Sequence, residues 1–239
     1  MSGRLDGLTA FVTGAGRGIG RAIALALASE GARIALVART AKDLDEVSRE
    51  VAGMGGSALA IPADISVELE VAAAVRRAVE KFSTIDILIN NAGIGSFANV
   101  AELAVKDFDR MWEVNMRGVF LCTREILPFM VKKRSGDILN LASLAGRNAF
   151  VGGGGYCATK WALLGFSRCL MLEVREHNIR VVTLCPGSVE TGFGDHPKEK
   201  QSPAIPKPGD IARVALDTLL MPRHVMVSEV DIRPTNPKG

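Results

Sequence analysis

Tyr156 is the only tyrosine in a chain of 239 residues, and it stands four positions ahead of Lys160. Residues four apart on a helix are surface neighbours, with Cβ atoms about 5–6 Å apart. A phenol and an ammonium on one face can do proton chemistry. A free phenol titrates near 10, so it holds its proton at neutral pH and gives it up reluctantly. A nearby cation shifts such a group by about 1–3 pK units, and bringing the phenol to ~7 takes about 4 kcal/mol of preferential stabilisation of the phenolate. The run Gly152–Gly155 ahead of the pair lets another segment or a ligand come close. Taken alone, a Tyr-x-x-x-Lys pair also reads as ordinary surface.

A second chemical feature lies near the N-terminus. Thr13-Gly14-Ala15-Gly16-Arg17-Gly18-Ile19-Gly20 follows an apolar run and opens a helical pattern. Glycines allow a tight turn against a pyrophosphate, and a helix N-terminus offers free N–H groups and a positive dipole end. An NAD site places an acid roughly 20 residues further on, to hold the ribose 2′-hydroxyl. Here the stretch is Leu36-Val37-Ala38-Arg39, with no carboxylate before Asp43. Arg39 and Arg17 could both reach a 2′-phosphate, for which guanidinium geometry suits bidentate contact. Each arginine alone also fits a solvated surface; together with the missing acid they favour NADP(H).

These residues must be positioned by regular elements. Apolar runs at Leu8–Thr13, Arg33–Ala38, Ala58–Pro62, Ile85–Asn90, Asp137–Ala142, Arg180–Cys185 and Met226–Ile232 read as strands. Helical patterns lie between them at Ile19–Ser29, Ala41–Met54, Val67–Phe82, Val105–Lys133, Tyr156–His177 and Gly209–Leu220. Strands apolar on both faces, alternating with helices, predict an α/β, three-layer, doubly wound parallel sheet of about seven strands (a Rossmann fold). No linker interrupts it, so residues 1–239 are expected to form a single domain. The segment from about 187 to 208, with its prolines and no periodicity, reads as a substrate loop or lid.

Composition excludes several classes. Apolar residues are 48% of the chain and the net charge is +3 with both signs interleaved, so no nucleic-acid partner is implied. The basic cluster Lys132-Lys133-Arg134 suits a helix C-terminus. Cys122, Cys157, Cys169 and Cys185 lack metal-site or CxxC spacing and read as free thiols in a reducing compartment, with no metal expected. No apolar run reaches the ~18 residues of a membrane helix and no signal-peptide pattern opens the chain. A cytoplasmic protein without a membrane partner is expected.

Open parallel sheets bind ligands at the carboxyl ends of their strands, near the switch point. Gly14, Asn90 and Ser143 all follow strand ends, while Asn115 and Tyr156 enter from helices covering that edge. Each also has a plainer role available: Ser143 as a turn serine, Asn115 as a helix residue bonded to backbone, Asp64 as a cap for the helix that follows.

In these motifs the chain resembles the short-chain dehydrogenase/reductase family, in its single-domain form, from about Gly7 to Leu220. The likeness is carried by Gly14 to Gly20, Asp64-Ile65, Asn90-Asn91-Ala92-Gly93, and Asn115 in Glu-Val-Asn-Met-Arg-Gly-Val-Phe. It continues with Ser143, thirteen residues before Tyr156, then Tyr156-x-x-x-Lys160, and Pro186-Gly187 with Val189 and Thr191. The resemblance implies Tyr156 as general acid in reduction and base in oxidation, Ser143 holding the substrate oxygen, and Asn115 fixing a water behind Lys160. It implies that Tyr156 and Lys160 also meet the cofactor, with Lys160 on the nicotinamide ribose. Gly14, Gly16, Arg17, Gly18, Ile19, Gly20 and Arg39 would hold the phosphates, Asp64 and Ile65 the adenine, and Asn91, Ala92 and Gly93 the floor of the site. Pro186, Gly187, Val189 and Thr191 would meet the carboxamide.

The resemblance implies interconversion of a ketone and a secondary alcohol with NADP(H). Pocket candidates Ile94, Phe97, Leu144, Phe150 and Phe193 suggest a medium-sized apolar ketone or β-ketoacyl compound. The 3-oxoacyl-acyl-carrier-protein reductases are similar in length and layout, and Lys132-Lys133-Arg134 is a candidate carrier contact. Against that role, Leu172 stands where they usually carry arginine, and Glu229-Val-Asp-Ile-Arg replaces their Asp-Gly-Gly ending. A non-catalytic NADP-binding sensor or scaffold is the other alternative. Trp112, Phe120, Trp161, Leu163 and Phe166 exceed what one sheet face needs, and family likeness points to a homo-oligomer, a tetramer or dimer.

Overall fold

The computed structural model describes residues 3–193 and 205–236. The part of the expected lid at 194–204 lies outside the described residues. Seven strands, β1 (Thr9–Thr13), β2 (Arg33–Ala38), β3 (Ala58–Pro62), β4 (Ile87–Asn90), β5 (Gly136–Leu141), β6 (Ile179–Pro186) and β7 (Glu229–Ile232), form one sheet. Their order is β3-β2-β1-β4-β5-β6-β7 and every pairing is parallel. The expected doubly wound sheet is therefore present, and its direction reverses between β1 and β4.

Alternation within the strands divides the core. In β1, Ala10 and Val12 join one cluster with Ile23 and Leu27 of α1 (Gly18–Ser29), Val47 of α2 (Ala41–Gly53) and Ile211 of α7 (Pro208–Leu219). Phe11 points the other way, to Val75 of α3 (Glu68–Phe82), Ile126 of α5 (Val119–Lys133) and Leu170 of α6 (Gly154–Val174). Central residues such as Leu88 are fully buried, and truncating one to alanine costs about 2–5 kcal/mol.

Two expected elements differ. The helix predicted over 105–133 is α4 (Val105–Trp112), a π-helical stretch (Glu113–Gly118) and α5. Such a bulge inserts a residue into the helical ladder and marks functional sites; here it delivers Asn115. The strand predicted from Met226 begins only at Glu229. The backbone just before it folds back instead, with Val225 N–H donating to the Pro222 carbonyl and buried Arg180 donating to the carbonyls of Leu219, Met221 and Val225. Among the described residues, no helix is long and apolar enough to cross a membrane.

Candidate active site

A cleft of about 1870 Å³ runs along the carboxyl edge of the sheet, lined by loops from all seven strands. That exceeds the ~300–1,000 Å³ of a typical small-ligand pocket, and leaves room for a dinucleotide and a second molecule. Of the cofactor residues expected from sequence, Gly14, Gly16, Arg17, Gly18, Ile19, Arg39, Asp64, Ile65, Asn91, Ala92, Gly93, Pro186, Gly187, Val189 and Thr191 line it, as do Ser143, Tyr156 and Lys160. Gly20 and Asn115 do not. Gly20 is buried beneath the loop, where a Cβ would stand 2.3 Å from the Gly14 carbonyl oxygen.

The loop after β1 is a cradle that only glycine permits. Gly14 has φ 65°, and a Cβ there would stand 2.7 Å from Asn91 Nδ2 and 2.9 Å from Ala92 Cα. Thr13 ties this loop to the one after β4. Its hydroxyl accepts from the backbone N–H of Asn91 (3.0 Å) and Ala92 (3.1 Å) and donates to Ile89 (3.1 Å). Asn91 returns the contact by donating to the carbonyls of Thr13 and Gly14. The first turn of α1 has no side-chain cap and no acid, so its free N–H groups and dipole remain for an anion.

Arg17 and Arg39 are exposed at the cleft, and neither guanidinium has a partner among the described residues. The cradle and these two cations fit a phosphorylated dinucleotide. Asp43 also lines this end, its Cβ 2.8 Å from where a Gly16 Cβ would stand. It restores a carboxylate one helical turn later than the NAD pattern places one.

Asp64 does not cap the helix that follows, since α3 begins at Glu68 behind Val67 with no side-chain cap; it closes the turn ahead of it. Its carboxylate accepts from the Ser66 backbone and hydroxyl (2.9 and 2.7 Å) and from Arg110 (2.6 Å). Burial works to raise this carboxyl, but the bonds from Ser66 and Arg110 prevail and hold it below its usual range. Arg110, from α4, thereby becomes part of the cleft wall.

At the other end, Tyr156 occupies the first turn of α6 and is 8% exposed. Gly155 lets that turn pack down, since a Cβ there would meet Met111 Cε at 2.6 Å. The glycine run thus receives a neighbouring segment. Lys160 is buried, donates to the Leu141 carbonyl at 2.9 Å, and lies 5.7 Å from the centre of the Tyr156 ring. One helix therefore presents both groups at the end of β5. Further along, Asn140 Nδ2 donates to the Ser167 hydroxyl (2.8 Å), and Asn90 Nδ2 donates to Asn140 Oδ1 (2.9 Å). This buried chain fixes α6 to β5 and β4.

Ser143 caps a single 3-10 turn, Leu144–Gly146, its hydroxyl accepting from Ala145 N–H at 3.1 Å and donating to the Pro186 carbonyl at 3.4 Å, and it is near enough to the Tyr156 phenol to lower it. Asn115 is bonded to backbone, as its alternative role required: its side chain accepts from Ile94 N–H and donates to the Ile94 carbonyl, both at 2.9 Å. Its amide also donates to Thr159 (3.0 Å), whose hydroxyl donates to the Tyr156 carbonyl (2.8 Å). Asn115 and Lys160 flank Gly93, where a Cβ would stand 3.4 Å from Asn115 Oδ1 and 3.7 Å from Lys160 Nζ.

The expectation that Lys160 lowers the phenol is not met by these contacts. Burial pushes Tyr156 up to about 12, against a smaller lowering from the Ser143 hydroxyl. Burial also lowers Lys160 to about 8, so it is still largely an ammonium at neutral pH. Both groups hold their protons there, which suits donation more than abstraction.

Thr13, Thr159 and Arg110 were not singled out from sequence. The two threonines sit inside motifs that were, and their hydroxyls matter only through backbone groups brought from other elements. The basic cluster Lys132-Lys133-Arg134 lies at the C-terminus of α5, next to the start of β5 and so at the sheet edge away from the cleft. There Lys133 pairs with Asp86 and Arg134 bonds the Glu176 carbonyl. It offers no contact at the cleft entrance.

A glycine-cradled cleft of this kind on a doubly wound sheet defines a class, and the chain belongs to the short chain dehydrogenase family, whose model matches residues 8–202. It is 34% identical over 233 residues to the sepiapterin reductase of Chlorobaculum tepidum, spanning 95% of this chain and 96% of that one. It is 36% identical over 193 residues to a 3-oxoacyl-[acyl-carrier-protein] reductase of Synechocystis sp., spanning 80% and 78%. The solved alcohol dehydrogenase of the archaeon Thermococcus sibiricus, complexed with 5-hydroxy-NADP, aligns with TM-score 0.88 and 33% identity over 97% of this chain and 99% of that one.

Proposed function

We propose that the chain is a single-domain NADP(H)-dependent oxidoreductase interconverting a ketone and a secondary alcohol. The observation that carries this is the meeting of the Tyr156 phenol, the Ser143 hydroxyl and the Lys160 ammonium at one end of a glycine-cradled cleft. The loop from Gly14 to Gly20 would hold the pyrophosphate, Arg17 and Arg39 the 2′-phosphate, and Asp64 and Ile65 the adenine. Asn91 to Gly93, Lys160 and the segment from Pro186 to Thr191 would hold the nicotinamide half. When bound, the reduced nicotinamide supplies the hydride, and the oxidised ring carries a positive charge.

Ser143 orients the carbonyl oxygen and stabilises the negative charge it gains. Tyr156 then gives that oxygen its proton: the phenol O–H breaks as the alcohol O–H forms, leaving a phenolate that solvent must reprotonate. Lys160, an ammonium within reach of the ring, stabilises that transient anion. Asn115 positions this machinery by clamping Ile94 and, through Thr159, the first turn of α6. In oxidation the proton moves the other way.

Two further parts of the proposal concern setting. The four cysteines are all free thiols, which supports a reducing cytoplasm. Phe120 and Trp161 are 45% and 54% exposed on α5 and α6, while Leu163 is buried in the core. Apolar surface of this kind supports a homo-oligomer covering those helices.

A panel of ketones offered with NADPH tests the proposal through loss of the reduced-nicotinamide absorbance. Consumption with at least one ketone is expected. Binding of NADPH with no ketone consumed would convert the chain to a sensor or scaffold.

A further inference from the structure

Three phenylalanines, each on a different strand-end loop, gather at the lone tyrosine. Phe97 follows β4, Phe150 follows β5 and Phe193 follows β6. The Phe97 ring stands edge-on to Tyr156, with centroids 5.4 Å apart and planes at 74°. Phe193 is 5.7 Å from Tyr156 at 53°, and Phe150 extends the row 5.9 Å from Phe97 at 49°. Gly95 makes room for two of them, since a Cβ there would stand 2.9 Å from Phe97 Cζ and 3.0 Å from Phe193 Cε1. Gly153 does the same for Phe150, at 2.6 Å.

All three rings line the cleft, and Phe150 and Phe193 are 48% and 39% exposed. Apolar surface left open in a cleft is surface for a ligand. Phe150 and Phe193 meet their ring neighbours tilted rather than stacked, so these contacts leave part of each of these two rings open to the cleft. The neighbouring lining side chains Ile94, Leu144, Ala149 and Val151 carry no charge and no hydrogen-bonding group. A purely aliphatic wall would take any apolar chain. A wall of aromatic rings favours a flat guest with its own quadrupole, because edge-to-face and offset pairs are stronger than area burial alone.

We infer that the substrate class is a carbonyl borne directly on an aromatic ring, an aryl ketone or the matching benzylic alcohol. This presupposes the carbonyl chemistry proposed above. The ring sits among Phe97, Phe150 and Phe193, and the oxygen meets Tyr156 and Ser143.

The test compares acetophenone with cyclohexyl methyl ketone, which share a methyl ketone on a six-membered ring and differ in aromaticity. Their intrinsic reactivities differ, so the quantity read is the ratio of the two kcat/KM values in the unaltered chain against Phe97→Leu and Phe193→Leu. Leucine keeps an apolar group and removes the quadrupole. The ratio should fall about three- to tenfold in each variant. Phe150→Leu, at a half-exposed position that folding tolerates, should lower it less. A second readout needs no turnover: the protons of bound acetophenone should show upfield ring-current shifts by NMR, reduced in Phe193→Leu.

An unchanged ratio in all three variants would overturn the inference. So would reduction of cyclohexyl and open-chain ketones with acetophenone left untouched, and in either case the carbonyl chemistry stands. If none of these ketones is consumed the inference falls, and the wider ketone panel decides the carbonyl chemistry separately.

Discussion

The Lys160 ammonium lies 5.7 Å from the centre of the Tyr156 ring while donating its hydrogen bond to the Leu141 carbonyl rather than to the phenol. The end of β5 therefore holds the ammonium beside the ring, and both groups are largely buried where they line the cleft. Burial is the dominant influence on each: it raises the phenol and lowers the amine.

The buried amine predicts a window of pH-dependent stability. Lys160 titrates at about 8 in the folded chain, against about 10.4 for an unfolded lysine. Below about pH 8 both states are protonated and the folded state bears the full cost of a buried charge. Between the two values the folded amine has lost its proton while the unfolded one keeps it, so stability rises with pH. Lys160→Met abolishes that slope, whereas the contribution of Tyr156 is common to both chains. The stability of the unaltered chain relative to the variant, from urea unfolding at a series of pH values, should climb by a few kcal/mol from about pH 7 to about pH 10. A flat difference would show that the amine is not buried as described.

Tyr156→Phe should remove at least ~10²-fold of the turnover and leave NADPH affinity intact. Ser143→Ala should also lose rate with the cofactor still bound, and as the loss of a capping group it should cost about 1 kcal/mol of stability. Turnover and fluorescence titration of NADPH separate the two effects. Near-native turnover in the phenylalanine variant would reject the acid assignment.

Thr13 joins the two loops of the phosphate cradle. Thr13→Val strands the N–H groups of Asn91 and Ala92, each worth about 1–3 kcal/mol when left without a partner. The variant should unfold at lower urea and bind dinucleotide more weakly, and Thr13→Ser should recover most of both. A valine variant with unaltered cofactor affinity would mean that the cradle does not depend on this hydroxyl.

Arg39→Ala and Arg17→Ala should narrow the preference for NADPH over NADH by about tenfold or less apiece, since each exposed charge pair is worth only ~0–1 kcal/mol. Dissociation constants for both cofactors read this directly. Asp43, close against Gly16, remains able to take a ribose hydroxyl, so residual NADH binding is expected. Unchanged ratios in both variants would remove the 2′-phosphate from this end of the cleft.

Much of this was legible from residue type and spacing, because strand alternation and the glycine loop are local properties. Ala58–Pro62 and Arg33–Ala38 begin and end as their apolar runs do. The π-helical stretch at 113–118 was not legible: the Asn115 it carries grips Ile94, which lies 21 residues away. The same holds for Thr13 and Thr159, whose hydroxyls answer backbone groups delivered by other elements. Ahead of the late start of β7, Arg180 gathers the carbonyls of Leu219, Met221 and Val225, a use that no local pattern encodes. Periodicity also could not divide the apolar surplus on α5 and α6, where Leu163 went inward and Trp161 outward. The burial that raises the Tyr156 phenol was not legible either, because groups such as Met111 and Phe97 are brought to the ring by other elements.

That the chain has one tyrosine, the residue proposed to react, makes the whole protein its own optical probe. Tyrosinate absorbance recorded on unlabelled material is a single-site titration curve, and a nitrating reagent marks one place only. The phenylalanine variant supplies a baseline free of any tyrosine signal, so the ionisation of the proposed acid can be followed directly as each ligand is added.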